Sequence, residues 1–296
     1  MRAIYFILIG LFCFHAGGYA KEKRALIVAI SQYPEHSGWR PIHADNDVKL
    51  LLNTLKKKGF LEKNIIVLRD AQASKHGVVA GLQSLQGKVK AGDFVFIHFS
   101  CHGQQMEDDD GDEPDGLDEA IVCYDAKMHY SAGRYEGENH LRDDELDAYL
   151  RPIRKTLGET GQLIVSFDAC HSESATRGED EDERVVRGTA TVFSRSGTVR
   201  PKFGASIKPP LFQEKGLSPI TELSACQSNQ NNYEYQKGDE YYGSLTYALC
   251  TVWDRYSVLP AWHLWSEEVK RSMKEIARWQ TPVFRTTLKE YAGNNE

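Results

Sequence analysis

Two short segments carry side chains able to make and break acyl bonds. FSCHG at 99–103 holds His102, and FDACHS at 167–172 holds Cys170. A thiol becomes a strong nucleophile as thiolate, and an imidazole within hydrogen-bond reach is the usual means of generating one. Each of the two residues follows directly on an apolar run of strand length, so neighbouring strands would bring both to one rim. Gly103 leaves the backbone uncluttered beside the imidazole, and its N–H together with that of Cys170 can form an oxyanion hole. His171 competes as base, but adjacent residues of an extended segment point to opposite sides, which favours His102. Metal binding by Cys101, His102, Cys170 and His171 is the other sharp reading. Against it, the chain lacks the closely spaced Cys or His pairs of zinc-ribbon sites.

The elements that must position these residues are legible as apolar runs. Arg24 to Ile30, Ile65 to Leu68, Phe94 to Phe99 and Leu163 to Phe167 have few polar interruptions, as in strands buried on both faces. Between them lie helical patterns. Val48, Leu51, Leu52 and Leu55 fall on one helix face, with Gly59 as terminator. Val78 to Val89 and Asp143 to Leu150 give two more, the latter opened by acids that suit a helix N-terminus. Ile220 to Cys226 then reads as a strand, and Ser244 to Trp253 and Trp265 to Trp279 as helices. Strand alternating with helix predicts one α/β domain with a mostly parallel sheet and helices on both faces. Ligands of such sheets bind at the carboxyl ends of the strands.

The 296 residues are 41% hydrophobic and 26% charged with a formal charge of −6, and their cations form no stripe. That balance suits a globular domain and points to neither a nucleic acid nor an anionic membrane as partner. Residues 1–20 differ: Arg2, an apolar run from Ile4 to Phe14, and small residues at Gly18 and Ala20 read as a cleaved secretory signal. The run falls short of the about 20 residues needed to span a bilayer. Export to a secreted or periplasmic location follows. The remaining chain has five cysteines, an odd number that leaves at least one thiol without a partner in the chain. The others can be disulfides or small buried hydrophobes.

SCHG followed about seventy residues on by DACHS resembles the catalytic pair of caspase-like cysteine peptidases of metacaspase type. ADNDVKLLLNTLKKKGF, DGDEPDGLDEAIVCYD, SACQSNQ, YYGSLTYAL and QTPVF resemble further parts of that family in order. The resemblance implies a caspase-like domain over 21–296, with a large-subunit-like part at 21–178, a loop at 179–217 and a small-subunit-like part at 218–296. It implies an endopeptidase that cuts after Arg or Lys, with Asp47, Ser100 and Asp168 on the positions lining the pocket for that side chain, and Ser224 flanking it. Carboxylates pair well with a guanidinium. Asp168 also stands two residues before Cys170, on the same side of the strand. Many metacaspases use calcium; Asp118, Asp143 and Asp144 match two elements of that site, while Arg177 stands where a further acid would be. No cofactor is otherwise implied. A catalytically silent relative that binds basic peptides is the alternative, though a pure binder has no need of a thiol there.

The stretch from Glu107 to Glu119 holds nine acids in thirteen residues and reads as a solvated loop. Residues 173–218 lack periodicity and read as a long, mobile, exposed loop. A peptidase specific for basic residues would cut itself there, with Arg184 and Arg187 ahead of other sites because Val and Gly follow them.

Overall fold

The computed structural model describes residues 21–111, 113, 115–170, 184–195, 211, 213–228, 230–257 and 262–288. The signal-like segment 1–20, His171 and Arg177 lie outside the described residues. Five parallel strands and one antiparallel strand form the central sheet: β1 (Lys23–Ala29), β2 (Ile65–Arg69), β3 (Phe94–Ser100), β7 (Gln162–Asp168), β8 (Ile220–Ser224) and β11 (Val283–Thr286), in the order β11-β8-β7-β3-β1-β2. The first four runs predicted as strands are strands; the continuous apolar character of β1, β3 and β7 follows from burial on both faces, while β2, at the edge of the sheet, is half-buried along its length.

Helices cover both faces. On one side α1 (Ala44–Lys57), α4 (Ser244–Asp254) and α5 (Trp262–Ile276) pack on Ala25, Ile27, Phe96, Ile164 and Leu223. On the other α2 (Lys75–Lys88) and α3 (Asp143–Leu157) pack on Leu26, Val28, Ile97 and Val165. Helix α1 buries Val48, Leu51 and Leu55, as its spacing predicts, and Gly59 at φ +81° supplies the left-handed turn after it. Among the described residues no helix is long and apolar enough to cross a membrane.

Two expectations are corrected. The acidic run is not wholly a solvated loop. Its ends belong to β4 (Gly103–Glu107) and β5 (Leu117–Val122), which form an antiparallel sheet with β6 (His140–Arg142), and β5 is buried along its length. The acids between them make the turn, where Asp108 accepts the N–H groups of Asp110, Gly111 and Glu113. A second small sheet, β9 (Glu234–Lys237) with β10 (Glu240–Gly243), precedes α4. Finally, 173–218 is not uniformly an exposed loop: among residues 184–195, Phe193 and Ser194 are buried and Arg187 is completely buried.

Candidate active site

Strands β3 and β7 run parallel with Ser100 opposite Asp168. Two residues further along each strand stand His102 and Cys170, so strand register brings them to a common rim. His102 is held from several sides. Its backbone N–H donates to the Tyr33 hydroxyl at 3.0 Å, its ring stacks on Trp39 with centroids 5.0 Å apart, and Nε2 lies 2.8 Å from the Arg40 carbonyl. A carbonyl only accepts, so Nε2 carries the proton and Nδ1 is the lone-pair nitrogen. Nδ1 is buried and has no hydrogen-bond partner among the described residues. Burial pushes the imidazole pKa down to about 4, with the Arg40 carbonyl pulling the other way. At neutral pH the ring is an uncharged base. The Cys170 thiol donates to the Gln230 carbonyl at 2.8 Å, and Cys226 donates to the same oxygen at 3.3 Å. All five described cysteines are buried thiols.

The space in front of Cys170 is filled by the protein itself. The Arg187 carbonyl oxygen accepts the N–H of Cys170 at 2.8 Å and that of Gly103 at 3.3 Å, the two donors that the sequence suggests for an oxyanion hole. Its N–H donates to the Asn232 carbonyl, the N–H of Glu234 donates to the Val185 carbonyl, and Val186 bridges Tyr233 antiparallel. Residues 185–187 thus lie as an added strand along the edge at 232–234, the manner in which extended peptides dock. Gly188 follows so closely that a Cβ there would stand 2.4 Å from the Cys170 carbonyl oxygen and 2.9 Å from its Cβ. Phe193 then pairs beside β4, exchanging hydrogen bonds with Gln105 and Glu107.

The Arg187 side chain enters a closed acidic pocket. Nη1 donates to Asp47 at 2.7 Å and to the Ser100 hydroxyl at 2.8 Å, while Nε and Nη2 both reach Glu234 Oε1, at 3.1 and 2.9 Å. Asp168 stands 4.0 Å from Nη1. Burial opposes a charge here, but Asp47, Glu234 and Asp168 together hold the guanidinium pKa above its ordinary value. Burial raises Asp47 to about 6 against the pull of Arg187. Asp47 sits in the first turn of α1, where it also accepts the Gly243 N–H and the Ser100 hydroxyl.

Asp47, Ser100 and Asp168 are therefore brought together, with Asp168 in a supporting place. Its oxygens accept from Asn232, from the Thr246 N–H and from the Thr246 hydroxyl, so it anchors the start of α4 and the edge at 232 more than it grips the guanidinium. Ser224 does not join them. Alternation along β8 puts it on the side of its partner Phe167, opposite to Asp168, in a separate cleft of about 580 Å³ with Glu222 and Asp144. Glu234 is the residue that sequence reasoning missed. It lies at the start of the polar hairpin β9–β10, where no apolar pattern announces an element. Arg184, the other basic candidate in this segment, is partly buried beside Trp279 and Tyr233.

Asp118, Asp143 and Asp144 each offer an oxygen within 4.8 Å of the others. Asp118 is ion-paired with Arg142 through one oxygen, and its other is buried with no hydrogen-bond partner among the described residues. Hard divalent cations take oxygens of this kind, so the three acids fit calcium.

The profile of the caspase-domain family matches residues 22–292. The chain is 24% identical over 273 residues to Metacaspase-1 of Mycosarcoma maydis, covering 80% of this chain and 64% of that protein. It is 34% identical over 158 residues to Metacaspase III c of Phaeodactylum tricornutum, covering 51% and 42%. The matched stretch thus spans less than two thirds of either relative. A crystal structure of a Geobacter sulfurreducens protein superposes with a TM-score of 0.62 at 23% identity, covering 90% of this chain and 93% of that one.

Proposed function

The chain belongs to the caspase-domain peptidase family, of metacaspase type, and from that premise we propose that it is a cysteine endopeptidase that cuts after Arg or Lys, using Cys170 and His102, and that the bond between Arg187 and Gly188 is one of its substrates. The observation that carries the reading is the posture of Arg187. One residue puts its guanidinium between Asp47 and Glu234 and its carbonyl oxygen on the N–H groups of Cys170 and Gly103.

In this reading the Cys170 thiol turns from Gln230 and its proton passes to His102 Nδ1. The sulfur attacks the Arg187 carbonyl carbon, and the developing oxyanion keeps the two N–H donors that already hold the oxygen. The C–N bond breaks as His102 returns the proton to the Gly188 nitrogen, and water then hydrolyses the thioester. Lys would reach the same carboxylates as a point charge, without the bidentate fork. Calcium, held by Asp118, Asp143 and Asp144, would supply positive charge between β5 and the start of α3. Export to a secreted or periplasmic location, supported by the apolar run at 4–14, belongs to the same proposal.

The test incubates wild-type protein and Cys170→Ala side by side, with and without calcium, and sequences the fragments. Short peptides ending in Arg, Lys, Asp or Asn are offered in parallel. The expected result is a new N-terminus at Gly188 in the wild type alone, and turnover of the basic peptides only. Nicking in both proteins, or turnover after Asp, would overturn the reading.

A further inference from the structure

Three residues before Arg187, a second arginine is held in a different way. The Arg184 guanidinium lies 3.5 Å from the Trp279 ring centroid and 5.5 Å from that of Tyr233. Its Nη1 is buried and has no hydrogen-bond partner among the described residues. Arg278 also lies over Trp279, at 4.5 Å, so a like charge is already nearby. Among the described residues, the attraction at this position is therefore to ring faces and not to a carboxylate.

The spacing between the two arginines is fixed by the backbone. Val186 bridges Tyr233, and the bonds of Val185 to Glu234 and of Arg187 to Asn232 keep the segment extended. Alternation along an extended strand sends Arg187 to one side and Arg184 to the other. The platform belongs to the same framework as the docking edge. Trp279 directly precedes Gln280, whose side chain accepts the Tyr233 N–H at 3.0 Å and donates to the Asn232 side chain at 2.8 Å and to the Ala225 carbonyl at 3.0 Å. Tyr233 is buried, whereas Trp279 remains 44% exposed, which leaves room for an incoming side chain.

We propose that Trp279 and Tyr233 form a second recognition subsite, which takes a guanidinium three residues before the arginine that precedes the cleaved bond. The preferred substrates are then extended peptides with two arginines spaced as in Arg-Val-Val-Arg. This rests on the reading of Arg187 as the residue preceding the cut, and deepens it. The ring contact acts on a cation, so citrulline, which keeps the shape and loses the charge, does not replace arginine at this position.

Reporter peptides ending in Arg-Val-Val-Arg, citrulline-Val-Val-Arg and Ala-Val-Val-Arg test the proposal on the wild-type protein and on Trp279→Leu, which keeps apolar bulk without an aromatic face. The expected kcat/KM ratio of the arginine peptide to either of the others is about fivefold in the wild type and near one in the variant. A ratio near one in the wild type, or one unmoved by Trp279→Leu, overturns the subsite. Hydrogen exchange at the Arg187 N–H, followed in Cys170→Ala protein, needs no turnover. Arg184→Ala and Trp279→Leu should each accelerate it, and the combined variant no more than either alone. Unchanged exchange in both single variants overturns the subsite even if no peptide is cleaved, whereas failure to cleave any Arg-ended peptide strikes at the peptidase reading alone.

Discussion

The Arg187 carbonyl oxygen rests 2.8 Å from the backbone nitrogen of Cys170, so the reactive sulfur and the carbon it would attack belong to neighbouring groups of one folded chain.

Removing either end of the Cys170–His102 pair should abolish cleavage of an Arg-ended reporter. Cys170→Ala and His102→Ala are each expected to lower kcat/KM by at least about a thousandfold, the scale typical of losing a member of a nucleophile–base unit. Thermal unfolding near the wild-type temperature checks that the fold survives. Wild-type-like turnover in either variant would sink the assignment.

Asp47→Asn and Glu234→Gln each leave the pocket one carboxylate short of the Arg187 guanidinium. Breaking a fully buried ion pair by removing one partner costs about 3–5 kcal/mol. Uncut protein should therefore unfold at lower denaturant, and cleavage after Arg should fall by at least about tenfold, which is about 1.4 kcal/mol. Unchanged stability and unchanged kcat/KM in both variants would mean that the guanidinium is held elsewhere.

Gly188→Ala sets a methyl group against the Cys170 backbone, 2.4 Å from its carbonyl oxygen. Backbone cannot yield as a side chain tip can, so the segment should lift from the cleft. Alkylation of Cys170 by iodoacetamide should then be faster than in the uncut parent protein. An identical rate would show that the segment does not shield the thiol.

Three buried imidazoles make the fold acid-sensitive. Burial lowers His98 and His102 to about 4 and His140 to about 3, against about 6.5 in an unfolded chain. The unfolded state thus binds protons first, and stability present above pH 6.5 is lost as pH falls toward 4. Three such groups set an upper slope of about 4 kcal/mol per pH unit. Asp47, raised to about 6, takes its proton earlier in the folded state and offsets about one of the three. Urea unfolding between pH 4 and 7 should show midpoints rising with pH; a flat or falling trend would contradict the burial of these rings.

The legible parts of the sequence are those whose patterns arise from burial on two faces. FVFIHFS and QLIVSFD announce parallel strands because a buried strand has no polar side, and their ends bring His102 and Cys170 together. Glu234 could not be found this way. Its hairpin is short and polar, and it faces Arg187 only after β8, β9 and α4 have packed. Segment 184–188, with only two apolar residues in a stretch that lacks periodicity, becomes strand-like by borrowing backbone hydrogen bonds from 232–234. Ser224 went astray for a simpler reason. A serine at a strand end looks the same from either side, and the side is set by register with Phe167.

The added strand at 185–187 is joined covalently to the site it fills. A tethered ligand competes at an effective concentration of roughly millimolar, whatever the dilution of the protein. An outside peptide arriving at micromolar levels is thus outnumbered about a thousandfold at the cleft. Scission between Arg187 and Gly188 would end that advantage without dividing the molecule, because β7 and β8, which flank the cut in sequence, are adjacent in the sheet. The first turnover would follow first-order kinetics independent of protein concentration, and later ones would depend on how fast the new end at Arg187 leaves its acidic socket.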